Sequence, residues 1–162
     1  MVCCVTGHRP KGFPFERCWY EPLYKKYVGR LSLEIESLFN EGYNHFVVGM
    51  AEGADLDFAR AVLNKKGANH NVVLEAALPY PKEVVKRITE QAREYQDILA
   101  RCDRIHTVSD HYFKGCMQKR NRYMVDKSDI VIAIWNGREE GGTWYTIKYA
   151  RSKNKPIRYI MI

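Results

Sequence analysis

The chain has 162 residues, of which 46% are hydrophobic and 28% charged, with a formal net charge of +7 and a pI near 9.2. That size suits one domain with a sizeable core, and no apolar stretch approaches the roughly 20 residues that cross a bilayer. A membrane-spanning helix is therefore not expected, and the excess positive charge points to anionic partners.

The five cysteines, Cys3, Cys4, Cys18, Cys102 and Cys116, include no CxxC pair, which argues against a disulfide framework or a zinc site. No charged leader with a continuous apolar run opens the chain, so a soluble, cytoplasmic protein with reduced thiols and one domain over residues 1–162 is expected. The basic residues are spread along the chain rather than gathered in a tail, which favours a small phosphorylated ligand over nucleic acid.

In chain order, residues 2–5 read as a short apolar strand, placing Cys3 and Cys4 on opposite faces. It is followed at once by Thr6-Gly7-His8-Arg9. Arg9 offers a bidentate fork for phosphate, and His8 a hydrogen bond or a proton. Pro10, Gly12 and Pro14 make the next loop irregular, while Phe13, Phe15, Trp19 and Tyr20 give it aromatic faces suited either to stacking on a base or to packing on the domain.

Leu31, Ile35, Leu38 and Phe39 then recur at helical spacing up to Gly42, a fitting helix end. After a strand at 45–48, the stretch VVGMAEGADLDFA breaks at Gly49 and reaches a helix through Gly53. Glycines there permit close backbone approach and leave first-turn amides for phosphate, although they serve an ordinary turn equally well. Leu56, Ala59 and Leu63 stripe that helix, with Gly67 expected to end it.

A strand at 71–77 precedes a helix expected to start at Pro81-Lys82-Glu83 and to carry Val84, Ile88, Ala92, Tyr95 and Leu99 on one face. A strand at 104–108 leads to CMQKRNRYMVDKSD, where Met117, Asn121 and Met124 share a helical face and Arg120 sits one position round. An amide on such a face needs a partner, from a neighbouring loop or from a ligand. A strand at 129–134, the turn Glu140-Gly141-Gly142-Thr143 with Thr143 as the expected N-cap, a helix and a strand at 157–162 complete the chain.

Alternating elements with almost wholly apolar strands predict an α/β, three-layer domain with a largely parallel sheet of about six strands. Ligands bind such sheets at the carboxyl ends of the strands, where the turns above should gather. Glu52, Asp55, Asp57, Glu140 and His8 are the candidate acid-base groups, with Asp55, Glu52 and His8 the foremost catalytic candidates. No nucleophile elbow, metal-spaced histidine pair or dinucleotide fingerprint is present, so neither a metal nor a cofactor is called for.

VTGHRP, GMAEGADLDFA, LPYP, SDHYFKGCMQKRNRYMVDKSD and GGTWYTIKYA together resemble, in order and over nearly the whole chain, the YpsA-like family of small bacterial and phage proteins. The resemblance implies the Rossmann-like fold of the group that joins DprA with the LOG enzymes. It also implies binding of a nucleotide or nucleotide derivative in a pocket of Gly7, Arg9, Gly49, Gly53, Asp55, Arg120, Asn121, Gly142 and Thr143.

LOG enzymes release ribose 5′-monophosphate from a modified adenine with a glutamate of a PGGxGTxxE motif. If Gly142-Thr143 matches its GT, Thr146 stands where that glutamate would be, and N-glycosidic hydrolysis would have to rest on Asp55, Glu52 or Glu140. Relatives in the wider group sense nucleotide second messengers in antiphage defence and often form dimers, so a sensor or sequestering protein that forms a homodimer is implied. A nucleic-acid or protein interaction module is a further alternative.

Overall fold

A computed structural model of the chain describes residues 1–68, 71–81 and 90–162. Six strands, β1 (Val2–Gly7), β2 (His45–Val48), β3 (Val73–Leu78), β4 (Arg104–Thr107), β5 (Ile130–Trp135) and β6 (Ile157–Met161), form one sheet in the order β4-β3-β2-β1-β5-β6. Every pairing is parallel. β2 has the expected bounds, and the other five strands begin or end one or two residues away from theirs.

Five helices are described: α1 (Pro22–Asn40), α2 (Ala54–Ala68), α3 (Glu90–Ala100), α4 (Cys116–Lys127) and α5 (Gly141–Ser152), with a single 3-10 turn at Pro10–Gly12. The expected start at Lys82-Glu83, and Val84 and Ile88 with it, lie outside the described residues. Among those described, no helix is long and apolar enough to cross a membrane.

The central strands are dry on both faces because helices cover both, which is why their sequences are apolar without alternation. Cys3, Val5, Phe46, Val48, Leu74, Ile132 and Ile134 point into the larger core with α1, α2 and Ile98 of α3. Cys4, Val47, Ala77 and Val131 point the other way, against Met124 and Val125 of α4 and Ala150 of α5. Cys3 and Cys4 thus do part to opposite faces.

Local chemistry sets the helix ends. Pro22 occupies the first turn of α1, and the Glu21 carboxylate accepts from Leu23 N at 3.2 Å, satisfying an amide that has no intrahelical acceptor. At the far end Gly42, with φ of 92°, lets Tyr43 N donate back to Leu38 O at 2.9 Å, a left-handed exit that closes the last carbonyls. Between them Leu31, Ile35 and Leu38 are fully buried, each contributing roughly 1.5–3 kcal/mol relative to exposure. Gly67 does not end α2, which runs one residue past it to Ala68.

The topology also positions the site. From β1 the chain builds outward through β2, β3 and β4, then returns to lay β5 along the other side of β1. Beyond the last register pair, Gly7 with Ile134, the two strands lead away in different directions, and a crevice opens at this switch point.

Candidate functional site

The crevice encloses 290 Å³. From β1 and its exit come Gly7, His8 and Arg9; from the β2–α2 turn and α2, Ala51 and Asp55; from α4, Arg120 and Asn121; from the start of α5, Gly142 and Thr143. Eight of the expected site residues therefore line a single cavity. Gly49 and Gly53 sit beside it, and Glu52 is exposed and outside the lining.

Close packing explains the glycines. A Cβ on Gly7 would overlap the Ala54 methyl, so only glycine lets α2 start against β1. A Cβ on Gly49 would occupy the space of the Arg120 guanidinium. Gly53, with φ of 96°, abuts the His8-Arg9 backbone. Met50, φ 60°, is a buried non-glycine residue in the left-handed region, a conformation costing of order 1–3 kcal/mol. It turns the chain so that Ala51 N donates to Asp55 Oδ2 at 3.1 Å.

Arg120 forms the floor of the crevice: it is 6% exposed, donates from Nη1 to Gly49 O and from Nε to Asn121 Oδ1 at 2.8 Å. Asn121 finds its partner within the fold, donating from Nδ2 to Thr146 Oγ1 at 2.9 Å, and Thr146 donates to Gly142 O at 2.9 Å. The relay ties α4 to the first turn of α5. Thr146 is thus a buried structural link between α4 and α5.

The two glycine-led helix starts are not equivalent. At α2 the first amide is taken by the chain itself, Ala54 N donating to His8 O at 3.1 Å. At α5 a Cβ built on Gly142 meets nothing within 4 Å, and the first amides of a helix lack intrahelical acceptors. Thr143 is not the N-cap; α5 starts two residues earlier, Glu140 holds that position without a side-chain bond, and Thr143 is buried against the crevice.

Burial raises the Asp55 carboxyl above its ordinary value, opposed by Arg120 and by the Ala51 amide. Burial likewise lowers the Arg120 guanidinium, opposed by Asp55. The His8 imidazole is lowered by burial, with Asn136 opposing and Arg138 adding to the shift.

Other expected groups do different work. Asp57, 3% exposed, accepts from Arg17 Nη2 at 2.6 Å and from Tyr24 OH at 2.8 Å, and it also pairs with Arg60. It anchors the 13–21 loop to α2. Phe13 and Phe15 pack on Tyr27 at 5.4 and 6.0 Å between ring centroids, and Phe13 also lines the crevice beside this one. Trp19 and Tyr20 are exposed away from the crevice.

Three residues escaped the sequence reading. Lys11, Asn136 and Arg138 line a neighbouring crevice of 550 Å³ with His8, Glu140 and Gly141. The basic residue between the end of β5 and the glycine pair, in NGREEGG, was the available signal. Among the described residues Arg9, Lys11 and Arg138 form no ion pair.

The YpsA family model, described as the YspA SLOG family, matches residues 3–162. A UPF0398 protein of Bacillus pumilus is 25% identical over 98% of this chain and 87% of its own length. A UPF0398 protein of Halalkalibacterium halodurans is 23% identical over 78% of this chain and 68% of its own. The uncharacterized SPbeta prophage-derived protein YoqJ of Bacillus subtilis is 26% identical over 80% and 83%.

Proposed function

The chain belongs to the YpsA family of SLOG proteins, and from that premise we propose that it binds a nucleotide or nucleotide-derived molecule in the crevice between β1 and β5. The observation that carries this reading is the meeting of the unpaired Arg9, the open first turn of α5 and the buried Asp55 around one cavity. Anions are favoured at a helix N-terminus, and a guanidinium grips phosphate through two parallel hydrogen bonds. Asp55, with one oxygen given to Ala51 N, keeps acceptor capacity for a ribose hydroxyl.

Binding rather than turnover is the better-supported role. Of the carboxylates a hydrolase could use, only Asp55 lines the crevice, with His8 beside it, because Glu52 is outside and Glu140 lines the neighbouring one. A protein that holds a nucleotide without consuming it acts as a sensor or a sequestering agent.

Isothermal titration against nucleoside mono-, di- and cyclic phosphates tests the proposal, with native mass spectrometry of freshly purified protein to detect a retained ligand. Micromolar binding that Arg9→Ala weakens at least tenfold supports it. No heat from any nucleotide at millimolar concentration overturns it, and release of free base during incubation moves the reading to hydrolysis.

A further inference from the structure

We propose that the neighbouring crevice is a second anion subsite, so that the ligand carries a chain of at least two phosphates, the first on α5 and the next between Lys11 and Arg138. This rests on the nucleotide-binding reading above and extends it to the phosphate number.

The two crevices are joined. His8 and Gly12 line both, and the start of α5 divides them, with Gly141 on one side and Gly142 on the other. A phosphate held by that helix end from the nucleotide crevice has its continuation directed into the second. The nucleotide crevice, at 290 Å³, lies at the bottom of the roughly 300–1,000 Å³ typical of small-molecule sites. A nucleotide with more than one phosphate overruns it, and 550 Å³ stand open beside it.

The second crevice is chemically suited to what would enter. Lys11 and Arg138 are exposed cations with no side-chain carboxylate partner among the described residues, and one acidic side chain, Glu140, lines the same space together with the last residue, Ile162. His8 Nε2 is buried yet has no hydrogen-bond partner, although buried polar atoms are normally paired. Asn136 lies beside the ring and acts on its titration, but its amide nitrogen donates to Gly12 O at 3.1 Å. Gly12 is required here, since a Cβ would strike the His8 ring. The ring is thus held at the junction with a nitrogen awaiting a partner, and a bridging phosphate oxygen supplies one.

The test titrates the protein with 5′-mono- and diphosphates of the four common nucleosides and with inorganic pyrophosphate. For the base that binds, the diphosphate is expected to bind at least tenfold more tightly than the monophosphate. In a Lys11→Ala/Arg138→Ala variant that ratio should fall to near one, while the charge-matched Lys25→Ala/Lys26→Ala variant on α1 keeps it. A ratio near one in the unmodified protein, or one that survives Lys11→Ala/Arg138→Ala, or falls equally in the α1 control, overturns the subsite. If no nucleotide binds, the functional reading fails; pyrophosphate then decides the subsite alone, kept if binding is lost in Lys11→Ala/Arg138→Ala and rejected if pyrophosphate does not bind.

Discussion

Arg120 Nη1 lies 3.9 Å from Asp55 Oδ2, both side chains buried beneath the crevice. That separation is a charge contact without a hydrogen bond; Arg120 directs Nη1 to Gly49 O and Nε to Asn121, while Asp55 accepts from Ala51 N. Removing the guanidinium leaves a buried carboxyl uncompensated. Arg120→Met should therefore destabilise the protein by roughly 3–5 kcal/mol, with Asp55→Asn milder. Because burial raises the Asp55 carboxyl, its contribution is fully present below 3.8 and is lost as pH rises through the folded value. Urea midpoints should show the unmodified protein losing ground to Asp55→Asn on going from pH 4 to pH 7, and Arg120→Met losing more; a pH-independent difference would count against the buried pair.

Gly7 and Gly142 both line the crevice but for opposite reasons. Gly7→Ala drives a methyl into Ala54, an overpacking that typically costs 1–3 kcal/mol. Gly142→Ala meets open space and, in a helical turn, should be neutral or stabilising by up to about 1 kcal/mol, while placing its methyl where the ligand would sit. Thermal melts paired with nucleotide titration separate the two: a lower midpoint for Gly7→Ala, and an unchanged or higher midpoint with weakened binding for Gly142→Ala.

Binding should take up a proton through His8. In the free protein burial disfavours the charged imidazole; a phosphate beside it favours the charged form. By linkage, affinity from this group rises as pH falls through the ligand-bound value and levels off below the free value. The ligand's own second ionisation, near 6, works in the other direction and is isolated by His8→Asn. Titrations in buffers of different ionisation enthalpy should register proton uptake in the unmodified protein and none in the variant.

The strands and the turns that meet at the crevice are legible in the sequence because both follow from local rules. Dry strands are apolar, as with Ile130–Trp135, and a turn against a helix start needs glycine, as at Gly7 and Gly53. The division of labour among those turns is not local. Ala54 N is closed by His8 O, a contact between residues far apart in the chain, and no pattern within GMAEGADLDFA announces it. Thr143 reads as an N-cap only if the helix begins there, and the left-handed Gly141, φ 75°, moves the start forward. Lys11 and Arg138 belong to two loops whose meeting depends on β1 and β5 being neighbours. Phe13 and Phe15 look equally fit for a ligand or for Tyr27, and both pack on Tyr27.

Glu75 should prove to be what seats α4, and with it Arg120 and Asn121. It sits within β3, opposite Val47, and is 1% exposed. Its carboxylate accepts from His45 Nε2 at 2.8 Å, from Tyr123 OH at 2.8 Å and from Lys127 Nζ at 2.7 Å, the last two on α4. Burial alone would raise this carboxyl, but Lys127 and Tyr123, with His45, bring it below 4.5. The stability it contributes is therefore present above 4.5 and lost as pH falls through the folded value. Glu75→Gln weakens charge-assisted bonds worth roughly 1.5–3 kcal/mol each, discounted here because Lys127 is partly exposed and screened by solvent. At pH 7 Glu75→Gln should unfold at lower urea than the unmodified protein, and the gap should close on acidification as both come to carry an uncharged side chain. Nucleotide affinity should fall with it, since a loosened α4 displaces the Arg120 floor from beneath Asp55; a variant that unfolds earlier yet binds unchanged would show that Glu75 supports the sheet and not the site.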